Sequence, residues 1–378
     1  MSFLGFTWYY IVVFLFVLTV LVYVHEWGHY WVAKRNGVRI ETFSIGFGPE
    51  IFGWNDAVGT RWKIGLIPLG GYVKMFGENM EDEETGETVE LTPEEQAVSF
   101  HHKTLAQRAA IVFAGPAVNY LFAIAVFAAL AVFQGTATPL AVVGEVMPDS
   151  AAAEAGLMQN DKIVAIDGAE ISLFSELREK VMANPGRSLR FDVVRDGNAV
   201  ALNAVPKSAE RADEDGVAKT IGLLGVRPNL EHVAYERHNP AMALWVGVQQ
   251  TATMTVNILV YVRDMIMGTR ATDDLGGPLR IAQISGDMAK GGIAQLVLLM
   301  AMLSVNLGLI NLFPIPMLDG GHLAFYAAEA IRGKPLGPKV QEYGFRFGLI
   351  LVLLLVVFVT WNDLVHLRVF EFIKDLFT

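Results

Sequence analysis

Residues 6–29 read FTWYYIVVFLFVLTVLVYVHEWGH, a long uncharged run that ends in two histidines and a glutamate. A run of this length crosses about 30 Å of hydrocarbon as a helix. Three further uncharged runs, at 109–139, 296–318 and 347–361, are long enough or nearly so. The chain is 53% hydrophobic and 18% charged, whereas soluble domains carry about 25% charged residues. The sequence therefore predicts a membrane protein, mainly α-helical, with about four transmembrane helices.

Composition also excludes several classes of function. The net charge is -10, and the sequence has no basic patch with interleaved aromatic residues, so we expect no nucleic-acid partner. The chain has no cysteine, which excludes thiolate metal ligands, a cysteine nucleophile and disulfides. The first apolar run has no basic segment before it and no small-residue cleavage site after it, so we interpret it as a retained span.

His25, Glu26 and His29 form an HExxH motif at the end of the first apolar run. On a helix, positions i and i+4 share one face, so both imidazoles can reach one zinc ion. The glutamate between them can take a proton from a water molecule that the metal activates. Histidine and tryptophan also occur at span ends as headgroup anchors. That alternative accounts for Trp27, but it accounts neither for Glu26 nor for the four-residue spacing of His25 and His29.

A catalytic zinc needs a third protein ligand. Asp319 follows the apolar run at 296–318, so its depth matches that of the motif if this span ends on the same side of the membrane as the first. His322, three residues later, is the alternative ligand. Pro314 and Pro316 break the helix and free backbone groups that a neighbouring chain could pair with, so we place both prolines at the substrate site.

The distribution of basic residues predicts the topology. Eight lysines and arginines between positions 34 and 108 favour a cytoplasmic location for that region. Four more between positions 332 and 346 favour the same side if residues 240–268 lie on the membrane surface as an amphipathic helix instead of crossing it. We therefore expect four spans, extracytoplasmic N- and C-termini, and an active site toward the cytoplasmic side.

Two regions outside the spans predict β-structure. Residues 43–49 read as a glycine-rich loop and 61–77 as a strand or hairpin, giving a membrane-associated β region at 43–77. Residues 140–205 alternate between strand and helix patterns, which indicates an inserted α+β domain. Within it, VVGEVMPDSAAAEAGLMQNDKIVAIDGAEI (142–171) resembles a bacterial PDZ domain; an unrelated α/β insert is the alternative.

The remaining boundaries follow from these assignments. We expect a first catalytic membrane half at 1–139, the PDZ-like domain at 140–205, a linker at 206–239, an amphipathic extracytoplasmic surface segment at 240–290, and a second catalytic membrane half at 291–378.

Several motifs together resemble the site-2 proteases, in particular the bacterial regulator-of-sigma-E protease type. They are HEWGH, the GFGP loop, IPLGGYVKM (67–75), AGPAVN (114–119), the PDZ-like insert and NLFPIPMLDGG (311–321). The resemblance covers nearly the whole chain. The chain departs from this type in one respect: its insert has room for a single PDZ domain, whereas members of this type often carry two.

The resemblance implies roles for individual residues. It implies that His25, His29 and Asp319 bind Zn2+ and that Glu26 is the general base. It further implies that Asn311 helps to hold the substrate or the oxyanion. The strand with three substrate-binding residues, Gly70, Gly71 and Tyr72, would pair with an unwound substrate by strand addition.

The function expected from these features is intramembrane proteolysis in a bacterial inner membrane. Expected partners are membrane lipid and single-span membrane proteins, such as anti-sigma factors or remnant signal peptides, with a peptide C-terminus as a candidate ligand of the PDZ-like domain. Two alternatives have different signatures. A non-catalytic PDZ-bearing membrane scaffold would lack stoichiometric zinc, and a transporter would show an inverted repeat, which the sequence does not contain.

Overall fold

The chain forms two units in the computed structural model, which describes residues 3–78, 91–212, 218–269 and 276–366. The first, which we call the helical unit, combines Met1–Leu130 with Pro240–Thr378. The second, the β-rich unit, is continuous over Ala131–Asn239. The chain therefore leaves the helical unit and returns to it.

The elements of the helical unit are mostly long helices. They are α1 (Phe3–Arg35), α2 (Pro93–Val98), α3 (Leu105–Phe133), α6 (Pro240–Ile266), α7 (Pro278–Lys290), α8 (Ile293–Leu312), α9 (Asp319–Arg332) and α10 (Pro338–His366), with strands β1 (Ile40–Asn55) and β2 (Arg61–Met75) between α1 and α2.

Four described helices are long and apolar enough to cross a membrane, which confirms the predicted number of spans. These stretches are Trp8–Arg35, Leu105–Phe133, Ile293–Leu312 and Lys339–Val365. Two of these helices end earlier than the apolar runs that predicted them. Helix α3 stops at Phe133 because Gly135, with φ +89°, turns the chain into a strand. Helix α8 stops at Leu312, since Pro314 cannot continue the hydrogen-bond ladder.

Strands β1 and β2 each bend in the middle. Residues 42–45 pair with 71–74 on one side and with 61–64 on the other, and 50–55 pair with 61–65, so two strands make a sheet of four segments. The pairing of 42–45 with 61–64 runs parallel, and the other two pairings are antiparallel. The prediction of a loop at 43–49 is therefore wrong: this stretch belongs to β1, because 43–45 pair on both sides and Phe47 pairs with Ile67. Residues 71–75 form one edge of the sheet and pack against α1.

Glycines make the bends possible. Gly46, Gly48 and Gly70 have φ values of +87°, +82° and +108°, which residues other than glycine rarely adopt. Beyond the bends, the sheet exposes Phe47, Phe52 and other large apolar residues on its surface. A surface of this kind is typical of contact with lipid or a partner.

Helix α6 is a single continuous helix in the region that we predicted to lie on the membrane surface. Its small residues Ala243, Gly247 and Thr251 are buried. A Cβ added to Gly247 would lie 2.5 Å from the carbonyl oxygen of Ile124, so α6 and α3 are in backbone contact. The surface location of 240–290 stays a prediction.

The β-rich unit is built around a four-stranded antiparallel sheet with the order β6-β5-β7-β8. Its elements are β3 (Thr136–Pro139), β4 (Val143–Val146), α4 (Ala151–Glu154), β5 (Lys162–Ile166), β6 (Ala169–Glu170), α5 (Phe174–Met182), β7 (Leu189–Arg195), β8 (Asn198–Ala204), β9 (Lys207–Ala212), β10 (Ala218–Leu223), β11 (Val226–Pro228) and β12 (Val233–Glu236). Phe191, Ile163 and Leu177 lie at the centre of its core.

The interpretation of 206–239 as a linker is wrong for its described residues. Strand β11 pairs with β4, and β12 pairs with β3, so this segment completes the β-rich unit. Leu224 also lies in the core cluster of the unit. These pairings join segments about 80 or more residues apart, and the polar composition of 206–239 gives no local signal of them.

Candidate metal centre and active-site cavity

His25 and His29 lie one turn apart on α1, on the face that packs against α3. A Cβ added to Gly28 would lie 2.5 Å from the carbonyl oxygen of Ala114. A Cβ added to Gly115 would lie 2.3 Å from His29 Nε2 and 2.8 Å from His25 Cε1. The two glycines therefore allow the two backbones to approach until the imidazole rings touch α3.

Asp319 lies close to the two histidines, although it comes from a segment far from them in the sequence. The segment from Phe313 to Leu318 connects α8 to α9, and Asp319 is the first residue of α9. A carboxylate is favourable at a helix N-terminus because the unpaired backbone N–H groups carry partial positive charge. Met317, two residues earlier, has φ +93°, a conformation that non-glycine residues rarely adopt.

Three side-chain atoms converge at this point. His25 Nε2 lies 3.2 Å from His29 Nε2 and 3.2 Å from Asp319 Oδ2, and His29 Nε2 lies 3.5 Å from the same oxygen. Asp319 Oδ2 is buried and makes no hydrogen bond of good geometry. The three atoms thus lie around one shared centre.

The donor set fits zinc. Ligand atoms about 2.0–2.1 Å from a tetrahedral zinc lie about 3.3 Å apart, which is the spacing observed. Two imidazole nitrogens and one carboxylate oxygen are a ligand set found in zinc peptidases. Burial acts to raise the pKa of Asp319, but contacts with His25 and His29 outweigh it, so the pKa lies below its usual value. The carboxylate is therefore in the form that binds a metal.

A cavity of about 730 Å³ opens at these atoms. The predicted site residues Glu26, Asn311, Gly71 and Tyr72 line it together with the three converging residues. The structure does not bring every predicted residue to this cavity. Gly70, Pro314 and Pro316 are absent from its described lining; Gly70 packs against the ring of Phe47, and the carbonyl of Pro316 lies against Gly348 of α10.

The edge segment of the small sheet borders the cavity beside Glu26. A Cβ added to Gly71 would lie 3.3 Å from Glu26 Cγ and 2.8 Å from a methyl group of Val22. A side chain at position 71 would therefore push the sheet away from α1. Tyr72, Val73 and Met75 continue the cavity wall.

His322, the alternative ligand, lines the cavity but lies outside the converging group. The three described residues whose donor atoms lie within 4.8 Å of one another are His25, His29 and Asp319. The ring of His322 instead packs against Phe345, with 5.2 Å between centroids. Burial lowers the pKa of His322, which keeps the ring neutral. Asp319 is therefore the better third ligand.

Sequence reasoning missed several residues of the cavity. Arg108 on α3 pairs with Glu329 on α9 at 2.8 Å, and both side chains are mostly buried. Glu78 is a further acidic group, and burial raises the pKa of its carboxyl. The Arg108–Glu329 pair spans 221 residues of sequence, so no local pattern could have predicted it.

The sequence profile of Peptidase family M50 matches residues 13–355. The chain therefore belongs to this family of zinc metalloproteases, the site-2 protease family, and is a multi-pass membrane protein. The resemblance drawn from the motifs is confirmed.

Relatives match over almost their whole length. A relative from Rhizobium meliloti (strain 1021), named as a zinc metalloprotease, is 45% identical over 94% of this chain and 96% of its own. Metalloprotease MmpA of Caulobacter vibrioides is 38% identical over 96% and 97%. Regulator of sigma-E protease RseP of Escherichia coli (strain K12) is 31% identical over 93% and 97%.

The β-rich unit combines strands with the short helices α4 and α5, as predicted for an α+β domain, and its assignment as a PDZ-like domain stays a prediction. Among solved structures, the PDZ domain of an SdrC-like protein from Listeria innocua aligns over 99% of its length with 26% of this chain, at 18% identity and a TM-score of 0.20.

Proposed function

We propose that this zinc metalloprotease is an intramembrane endopeptidase that cleaves single-span membrane proteins within or at the edge of the bilayer. The observation that carries the proposal is the convergence of His25, His29 and Asp319 at a cavity between helices that are long enough to span a membrane. Ionisable groups at such a depth are costly unless they are functional or paired.

The three converging residues would hold Zn2+, and Glu26 would act as the general base. When bound, zinc supplies a Lewis acid that polarises the scissile carbonyl and lowers the pKa of water. Glu26 lines the cavity next to the metal ligands and can take the proton from water and pass it to the leaving amine. Asn311 can donate a hydrogen bond to the carbonyl oxygen as negative charge develops on it.

A helical substrate must be unwound before its peptide bonds can react. The edge segment at 71–75, with Gly71 and Tyr72, offers backbone groups for strand addition beside Glu26. Gly70, with φ +108°, bends the strand directly before this segment. The non-helical connection with Pro314 and Pro316 would supply further backbone groups on the way to Asp319.

Substrate class and location are finer parts of the proposal. The expected substrates are anti-sigma factor type proteins and remnant signal peptides in a bacterial inner membrane; the name of one relative, a regulator of sigma-E protease, agrees with the first group. The basic residues between 34 and 108 support a cytoplasmic active site, an extracytoplasmic PDZ-like domain and extracytoplasmic termini. Reporter fusions that place the ends of α1 and α8 nearest the motif on opposite sides would contradict this topology.

The PDZ-like domain has a cavity of about 640 Å³ between α5 and β10. Its lining includes Arg178 and Lys219, whose charges suit the C-terminal carboxylate of a peptide. Binding of a free-carboxylate peptide that is no tighter than binding of its C-terminal amide would contradict this assignment.

Replacement of Glu26 by Gln tests the proposed function. The variant should keep one zinc per chain, because Glu26 is not a ligand, and should lose cleavage of a reconstituted single-span substrate. Glu145→Gln is the matched control, since Glu145 is exposed in the β-rich unit and distant in sequence from the motif; it should cleave at the parent rate. Undiminished cleavage by Glu26→Gln would overturn the mechanism.

Cross-linking tests strand addition. Because the chain has no cysteine, Tyr72→Cys provides a single reactive thiol on the edge segment. Paired with single cysteines scanned along a substrate span, it should form disulfides at every second position, the period of a strand. A period of three to four residues would mean that the substrate stays helical at this site and would contradict the proposal.

A further inference from the structure

A stripe of α3 faces the two imidazoles. Ile111, Gly115 and Asn119 are spaced four residues apart and therefore share one face of the helix. The carbonyl oxygen of Ile111 lies 2.9 Å from His29 Nδ1. The side-chain amide of Asn119 lies 3.1 Å from His25 Nδ1. Each ring thus directs Nδ1 toward α3 and Nε2 toward the converging atoms.

This orientation decides where the protons lie when a metal is held. A metal takes the lone pair of Nε2, so the ring proton is on Nδ1, which then needs a hydrogen-bond acceptor. For His29 the acceptor is the carbonyl of Ile111, which any residue at position 111 would supply. For His25 the acceptor must come from the side chain of Asn119.

Asn119 is suited to this role by its burial. It is 0% exposed within the apolar stretch of α3 that follows Arg108, and its Oδ1 has no hydrogen-bond partner. The amide nitrogen is the atom nearer to His25. A half-turn of the amide exchanges its two terminal atoms and gives Oδ1 the proton of His25 Nδ1. Without that turn, two donors would face each other and a buried acceptor would stay unpaired.

We propose that Asn119 is a positioning residue of the metal site, which accepts the Nδ1 proton of His25 and so fixes the tautomer and the ring orientation that present Nε2 to zinc. The inference rests on the metal-binding role proposed above for His25. Partners of this kind hold metal-ligating histidines in many proteins, and their loss typically weakens metal binding about 10–100-fold.

The test measures zinc affinity rather than proteolysis. The full chain would be purified in the Glu26→Gln background, stripped of metal and titrated with zinc against a chelator of known affinity. Asn119→Ala should raise the zinc Kd about 10–100-fold. Asn119→Asp, which has an oxygen in both terminal positions, should bind zinc at least as tightly as the parent.

Ser304→Ala is the matched control. The Ser304 hydroxyl is buried and donates to the backbone oxygen of Asn119 at 2.9 Å, so this variant disturbs the same contact between α8 and α3 but leaves the amide in place. Its zinc Kd should equal that of the parent. Cobalt(II) spectra report the geometry independently: Asn119→Ala should change the ligand-field bands, and Asn119→Asp should restore them.

Two outcomes would overturn the proposal. Parent-like zinc affinity in Asn119→Ala would show that His25 needs no such acceptor. Weakened zinc binding in Asn119→Asp would show that packing, not hydrogen bonding, matters at position 119. This variant tests the proposal even if Asn119→Ala does not fold. Since no arm depends on cleavage, a failure of the proposed proteolysis would leave the test intact.

Discussion

Helices α3 and α10 are both 29 residues long and apolar enough to span a membrane, but they have different surroundings. The most apolar window of α3 is 28% buried and that of α10 is 11% buried. Helix α3 is rich in alanine and carries Gly115 and Asn119 against the metal site, whereas α10 is rich in leucine and valine and contacts neighbours mainly near its ends.

The difference shows what apolar length does and does not predict. Length and apolarity mark both helices as spans. Small residues and a buried polar side chain in the middle of the helix distinguish α3, because packing in lipid depends on close backbone approach and on hydrogen bonds. In α10 the closely packed glycines and the buried Asp363 lie toward the two ends. Each of the following substitutions therefore compares a site on α3 with a site on α10.

The largest effect is expected for Gly115→Val on α3. Even the first carbon of the new side chain would lie 2.3 Å from His29 Nε2, so the rings must shift. Cleavage should fall about 100-fold or more, since displacements near 1 Å have effects of that size, and bound zinc should fall below one per chain. Leu354→Ala on α10, where Leu354 is 63% exposed, should match the parent in both assays. Parent-like zinc content in Gly115→Val would contradict the close contact between α3 and the rings.

A smaller effect is expected from two arginines. Arg108→Met on α3 leaves Glu329 unpaired in a mostly buried site, which should lower the free energy of unfolding by about 3 kcal/mol. Arg346→Met on α10 removes an exposed pair with Glu342, worth about 0.5 kcal/mol or less. Thermal unfolding in detergent would measure both. Equal melting temperatures for the two variants would contradict the role of the Arg108–Glu329 pair in joining α3 to α9.

Much of the site could be predicted because its signals are local or follow from depth. The spacing of His25 and His29 requires a shared helix face, and Asp319 follows a span that must end at the same level. Asn119 also carried a local signal, as a polar residue within an apolar run, although the motif analysis gave it no role.

Other features depend on pairing between distant segments. The two bent strands form four sheet segments only because 42–45 finds partners on both sides. Likewise, β11 and β12 belong to the β-rich unit through their partners β4 and β3. Local composition at 43–49 and 206–239 resembles that of a loop and a linker, so only tertiary contacts distinguish these strands from irregular chain.

We infer that two imidazoles from α1 and one carboxylate from the start of α9 hold a single zinc ion. X-ray absorption at the zinc edge, combined with metal analysis of the purified chain, tests it most directly. We expect one zinc per chain with two imidazole nitrogens and a carboxylate oxygen at about 2.0–2.2 Å, and loss of that zinc in His25→Ala, His29→Ala and Asp319→Ala. Full zinc occupancy with parent affinity in Asp319→Ala, or a spectrum without imidazole scattering, would contradict it.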